Sequence, residues 1–208
     1  MRQRCAKSAN LVKRRIEWLI YMLIAETKRK ENMAEYLLYM WQVEDLIRAN
    51  GCDIDAIERN LISRYDVDDA KRGEIREWYE NLVKMMEHEG VKQGGHLQIT
   101  KNVIIRLTDF HNALLASPKF PEYRAEYYKT LPYIVELRAK SGEEPSGEIE
   151  TCFNLLYGTL LLRLQHREVS KGTEEAVAQV SRLLARLSAL YLKDEQKPII
   201  DDDDEVAL

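Results

Sequence analysis

No cysteine in this chain belongs to a CxxC pair. The three present, Cys5, Cys52 and Cys152, are spread over 208 residues. That distribution argues against a disulfide or zinc framework and for free buried thiols in a reducing, cytoplasmic compartment. Strands are also poorly represented, because β-branched residues alternate with polar ones only in a brief "IT" and "VII". No repeat of 30 to 45 residues suggests a solenoid. The longest apolar run near the start, 18–25, has eight residues, far below the roughly 20 that span a bilayer. No A-x-A cleavage pattern follows it, so a signal peptide is not supported. Basic residues beside Trp18 would suit an interfacial anchor, but an ordinary extension packing its apolar end on the domain accounts for them too. No membrane association is expected.

Catalytic signatures are missing as well. There is no HExxH, GxGxxG, P-loop or GxSxG. Nor is there any Glu-x-x-His, which di-metal helical carboxylate proteins need on two helices. The four histidines, His88, His96, His111 and His166, lie in separate segments. Asp109 and His111 are about 200° apart on a helix, a poor chelate. The formal charge of −4 conceals an asymmetry, because residues 1–21 carry six Lys or Arg and only Glu17, leaving 25 basic against 34 acidic residues elsewhere, a net −9. Such a body is a poor binder of nucleic acid, whose affinity rests on neutralised phosphates.

What the chain does have is helical periodicity. With 45% hydrophobic residues it can bury a sizeable core, and the pattern predicts an all-α, single-domain helical bundle of about seven helices. The domain spans 22–194, preceded by an extension at 1–21 and followed by a disordered acidic tail at 195–208. Gly51 and Gly90 are left-handed helix stops, Asp53 is an N-cap, and "VKQGGH" is the clearest break. Pro132 is expected to kink a Tyr-rich helix. Two helices, around 30–50 and 147–168, are apolar nearly all round and are expected at the centre.

Into the first of these, "NMAEYLLYMWQVEDLIRANG", are set Glu44, Asp45 and Arg48. Glu44 projects between Met33 and Leu37, and Arg48 between Leu37 and Trp41, four residues apart in the favourable order. Charges in an apolar arc must be paired or solvated. A structural ion pair satisfies that requirement. So does a cavity in which Trp41, Glu44, Asp45 and Arg48 meet a ligand. A third arrangement brings Glu44 and Asp45 opposite Glu74 and Glu77 to hold Mg²⁺, as in all-α hydrolases of nucleotides or other small phosphorylated substrates. An acidic helix start explains Glu74 and Glu77 equally well. The turn "GHL" leads into a helix N-terminus and could hold an anion, but a linker explains it at least as well. Phe120, Tyr123, Tyr127, Tyr128 and Tyr133, interleaved with Lys119, Arg124 and Lys129, form a candidate face for a protein partner or a homo-oligomer.

"MLIAETKRKENMAEYLLYMWQVEDLIRAN", "HLQITKNVIIRL", "SPKFPEY" and "LPYIVELRAKSG" together resemble an uncharacterised bacterial family, the domain of unknown function DUF4924, from Met22 to about Leu192. The resemblance implies a cytoplasmic helical protein and carries over no catalytic residue. Members begin near Met22, so 1–21 departs from the pattern, as it would if the start codon were assigned too far upstream. The sequence therefore favours a helical binding or interaction protein without catalytic activity and without a cofactor, the Mg²⁺-dependent hydrolase being the alternative.

Five consecutive carboxylates at 201–205 repel one another, and Pro198 ends any helix before them. Deleting 201–208 should leave the melting temperature nearly unchanged. A loss of several degrees would show that the tail docks on a basic surface.

Overall fold

A computed structural model describes Ala25 and residues 28–140 and 146–200. The extension at 1–21, Cys5 and the carboxylate run at 201–205 lie outside the described residues. Residues 28–31 are helical. They are followed by α1 (Met33–Ala49), α2 (Ile54–Asn60), a 3-10 turn (Ile62–Arg64), α3 (Asp69–His88), α4 (Gln98–Ala116), α5 (Pro121–Lys140), α6 (Glu148–Leu164) and α7 (Lys171–Gln196). No strand occurs among the described residues, and the all-α expectation holds. None of the described helices is long and apolar enough to cross a membrane.

Boundaries follow local chemistry. Asp53, Asp68 and Ser170 each accept a backbone N–H of the first turn, from Asp55, Lys71 and Thr173 respectively. Each removes one donor that the helix itself cannot satisfy. At the other ends, the Cys52 N–H donates to the Ile47 carbonyl and the Val91 N–H to the Met86 carbonyl, both at 2.9 Å. Gly51 at φ +68° and Gly90 at φ +70° supply the left-handed residue these six-to-one closures require. The helix expected around 30–50 starts after Asn32, whose side chain caps α1 at the Ala34 N–H, 3.1 Å away. Pro132, where a kink is expected, lies inside α5.

By its internal contacts the chain divides into two compact units, the first Met1–Glu31 with Glu35–Lys101 and the second Asn32–Ala34 with Asn102–Leu208. In the first, Tyr39, Met40, Val43 and Ile47 of α1 share a core with Ile57, Ile62 and Tyr65 and with Ile75, Tyr79, Leu82 and Met86 of α3. The α3 residues recur at spacings of four, three and four, the period of a helix that buries one stripe. In the second unit the same spacing recurs in Val103, Leu107, Phe110 and Leu114 of α4 and in Tyr123, Tyr127, Thr130 and Ile134 of α5. Helices α5, α6 and α7 pack pairwise. The Gln179 amide of α7 donates to Glu126 at 2.8 Å and to Thr130 at 3.2 Å on α5. Ser188 of α7 donates to the side-chain Oδ1 of Asn32 at 2.9 Å, anchoring that cap.

Of the two helices read as central, α1 is buried nearly all round, with Glu35, Leu46 and Ala49 its exposed residues. Helix α6 buries Ile149, Cys152, Phe153 and Tyr157 but leaves Asn154 and Gly158 in solvent. Cys52 and Cys152 are free, buried thiols, as their spacing implied.

Two glycine substitutions should move stability in opposite directions. Gly90→Ala forces a side chain into the left-handed region and should cost about 1 kcal/mol in urea denaturation. A Cβ at Gly158, mid-helix and exposed, meets nothing within 4 Å. Gly158→Ala should therefore stabilise by roughly 0.5 to 1 kcal/mol.

Candidate functional site

Residues 41, 44 and 48 of α1 lie one helical turn apart on the same face, and the structure turns all three toward the connection that leads into α4. That helix begins with an apolar residue where a capping side chain would normally stand. The Leu97 carbonyl accepts the Lys101 N–H at 3.1 Å, so Leu97 is the N-cap and has no side chain with which to serve its own first turn.

Carboxylates from outside the helix serve this terminus: Glu89 accepts the Gln98 N–H at 2.6 Å, and the Leu97 N–H is taken by Glu44. Fully buried, Glu44 is the only buried carboxylate among the described residues. Its Oε1 accepts the Leu97 N–H at 3.2 Å. Thr100 Oγ1 lies 3.2 Å from the same oxygen and 2.8 Å from the Leu97 carbonyl, so one hydroxyl proton is shared between two acceptors. Oε2 lies 2.7 Å from His96 Nδ1, and because a carboxylate only accepts, the proton sits on Nδ1. The His96 ring stacks on buried Trp41 with centroids 4.2 Å apart and planes 16° from parallel. The helix terminus that could have held an external anion is bonded by carboxylate side chains of the same protein.

The expected Glu44–Arg48 pair is present, but at 3.9 Å. Arg48 makes its closer bonds elsewhere. Nη1 donates to Asp45 at 2.8 Å, Nε and Nη2 donate to the Val91 carbonyl at 3.3 and 3.2 Å, and Nη2 also bonds the Gly95 carbonyl. Arg48 thus holds the loop "VKQGGH" by its backbone, and Trp41, Glu44, Asp45 and Arg48 are all engaged within the chain. The Mg²⁺ set does not converge. Glu74 is exposed and paired with Lys71 at 2.7 Å, Glu77 is exposed on α3, and among the described residues no group of three or more His, Cys, Asp or Glu is placed to hold a metal ion.

Sequence reasoning missed a second polar cluster, in the other unit. His111 Nδ1 of α4 lies 2.6 Å from the Tyr123 hydroxyl of α5, and its ring meets that of Tyr127 edge-on at 5.0 Å. The Tyr127 hydroxyl donates to Glu148 of α6 at 2.8 Å. Burial lowers the pKa of His111 and raises those of Tyr123 and Tyr127. The Cys152 thiol is pushed up to about 12, first by burial and then by the Glu148 carboxylate. These groups are held in their neutral forms, which suits a buried latch between helices better than nucleophilic or acid–base chemistry.

This cluster corrects the expectation of a single Tyr-rich recognition face. Tyr123 and Tyr127 belong to the core, while Phe120 and Tyr133 are half-buried. Tyr128, by contrast, is 60% exposed and Val135 59%. They belong to a different stripe, Pro121, Ala125, Tyr128, Pro132, Val135 and Ala139, every member of which is exposed. The stripe runs the length of α5 at spacings of four and three, about 150° round the helix from the buried one. Elsewhere in this unit a cleft of about 240 Å³ is lined by Lys119, Phe120, Glu122, Arg186 and Leu190, with Arg186 paired to Glu122 at 2.6 Å.

A family model described as "Domain of unknown function (DUF4924)" matches residues 22–198. No curated protein and no solved structure matches the chain.

Glu44→Ala should cost about 3 to 5 kcal/mol in urea denaturation, because it strands buried donors and a histidine. Adding Arg48→Met should recover little of this loss, since the closer partners of Glu44 are Leu97, Thr100 and His96. Glu44→Gln, which keeps an accepting oxygen, should cost less than half as much.

The lowered His111 pKa fixes the sign of a pH effect. The unfolded chain takes up the proton near pH 6.5 and the folded one does so only at lower pH, so the stabilisation is complete above about 6.5 and is lost as pH falls below it. Chemical denaturation of His111→Phe between pH 7.5 and 5 should show a shallower decline than the parent protein.

Proposed function

The chain belongs to the DUF4924 family, and we propose that it acts as a cytosolic helical binding protein without catalytic activity, whose working surface is the outer face of α5. The observation that carries this reading is the six-residue exposed stripe from Pro121 to Ala139. Alternating spacings of four and three are those with which one helix seats its side chains between those of another. The fitting occupant is therefore an amphipathic helix with a seam of its own.

Two further facts support it. The buried carboxylate and guanidinium that could have made a reactive centre are spent on internal bonds at Leu97, His96, Val91 and Gly95. The free buried thiols suit a reducing compartment.

Site-directed photocrosslinking in the producing cell tests the surface. A photoreactive residue at position 128 or 135 should give a discrete adduct heavier than the 24.3 kDa chain, and one at exposed Ala178 of α7 should give none. Introducing Val135→Glu should abolish the adduct formed from position 128, while changing folding stability by no more than about 0.5 kcal/mol. Absence of any adduct at both stripe positions would end this reading.

A further inference from the structure

We infer that the outer face of α5 pairs with the same face of a second copy of this chain, the two helices antiparallel about a two-fold axis that crosses between Tyr133 and Ile134. The inference rests on the reading of that face as a docking surface and names its occupant. A two-fold contact must be self-complementary, each residue i meeting j while j meets i, and the sequence of α5 meets that condition in registers one heptad apart. With Ala125, Pro132 and Ala139 as one set of seam positions and Pro121, Tyr128 and Val135 as the other, an antiparallel pair places members of one set level with members of the other. About the stated axis Pro132 meets the partner copy's position 135, and Tyr128 meets its position 139. The largest side chain of the stripe therefore faces one of the smallest.

Charge selects the register. The exposed flank beside the seam carries Glu122, Lys129 and Glu136 at intervals of seven. In an antiparallel pair such flanking positions face one another. In the stated register Lys129 lies within reach of position 136 of the second copy, and by symmetry this contact forms twice. Sliding by one heptad one way sets Lys129 against Lys129 and Glu122 against Glu136. Sliding the other way sets Glu136 against Glu136. Like charges oppose both alternatives. Lys129 has no carboxylate partner among the described residues, whereas Glu136 has only its exposed neighbour Lys140 at 2.6 Å, a contact cheap to exchange. Four layers make a short seam of roughly 18 Å, which places the pair among weak, reversible associations.

Sedimentation equilibrium of the full chain from roughly 1 to 200 µM should show the mass rising from 24.3 kDa toward twice that value. Lys129→Glu and Glu136→Lys should each weaken the association by about tenfold or more. The double variant Lys129→Glu/Glu136→Lys, which restores opposite charges across the axis, should return it to near the parent value. Both positions are exposed, so melting curves of all variants should coincide with the parent's. A parent protein monomeric throughout, single variants that associate as the parent does, or a double variant without rescue would each overturn the inference. An adduct from position 128 that joins the chain to a different protein would overturn it too, yet leave the docking surface standing. No adduct at all removes both.

Discussion

A carboxylate withdrawn from water organises the first unit of this protein. Glu44 could not remain charged in an apolar surround without partners, and the start of α4 could not remain buried without an acceptor. Each solves the other's problem. Trp41 and Arg48, one turn either side of Glu44, complete the arrangement. One stacks on the histidine that bonds the carboxylate, and the other ties down the carbonyls of Val91 and Gly95. A six-residue connection rich in glycine and polar backbone thereby acquires fixed partners, and the start of α4 is bonded from outside itself, by Glu44 of α1 and by Glu89 at the end of α3.

Much of this was legible from the chain alone, for reasons that can be stated. Helix ends were readable where the deciding residue is local, as with Asp53, Gly51 and Gly90, because a cap or a left-handed residue acts within a few positions. That Glu44 must be paired was readable from its place in an apolar arc. Its partner was not, because His96 and Leu97 lie 52 and 53 residues away and nothing near them declares the contact. The one available signal was negative, an apolar Leu97 where a capping side chain belongs. Asn32, whose side chain caps α1, was likewise hidden inside a run that looks helical throughout.

The Tyr-rich helix shows a different limit. Counting aromatics gathers Tyr123, Tyr127 and Tyr128 into one surface, whereas their angles separate them. Tyr123 and Tyr127 point inward to His111 and Glu148, and Tyr128 points out. A helix with apolar stripes on two sides averages to weak amphipathicity, so neither stripe stands out in composition. Helix α1 also has apolar residues on most sides, yet it is buried on most sides; in α5 the second stripe is in solvent.

That contrast is what makes the outer stripe informative. A helix face that only meets water is ordinarily filled with Lys, Glu and Arg, and such residues are present on α5, but they flank the stripe rather than occupy it. The stripe itself mixes small residues, Ala125 and Ala139, with larger ones, Tyr128 and Val135, at the spacing that lets two helices interdigitate. The charges beside it alternate in sign every seven residues. Solvation alone demands neither the alternation of size nor the alternation of charge, whereas close approach of a second helix in a fixed direction demands both.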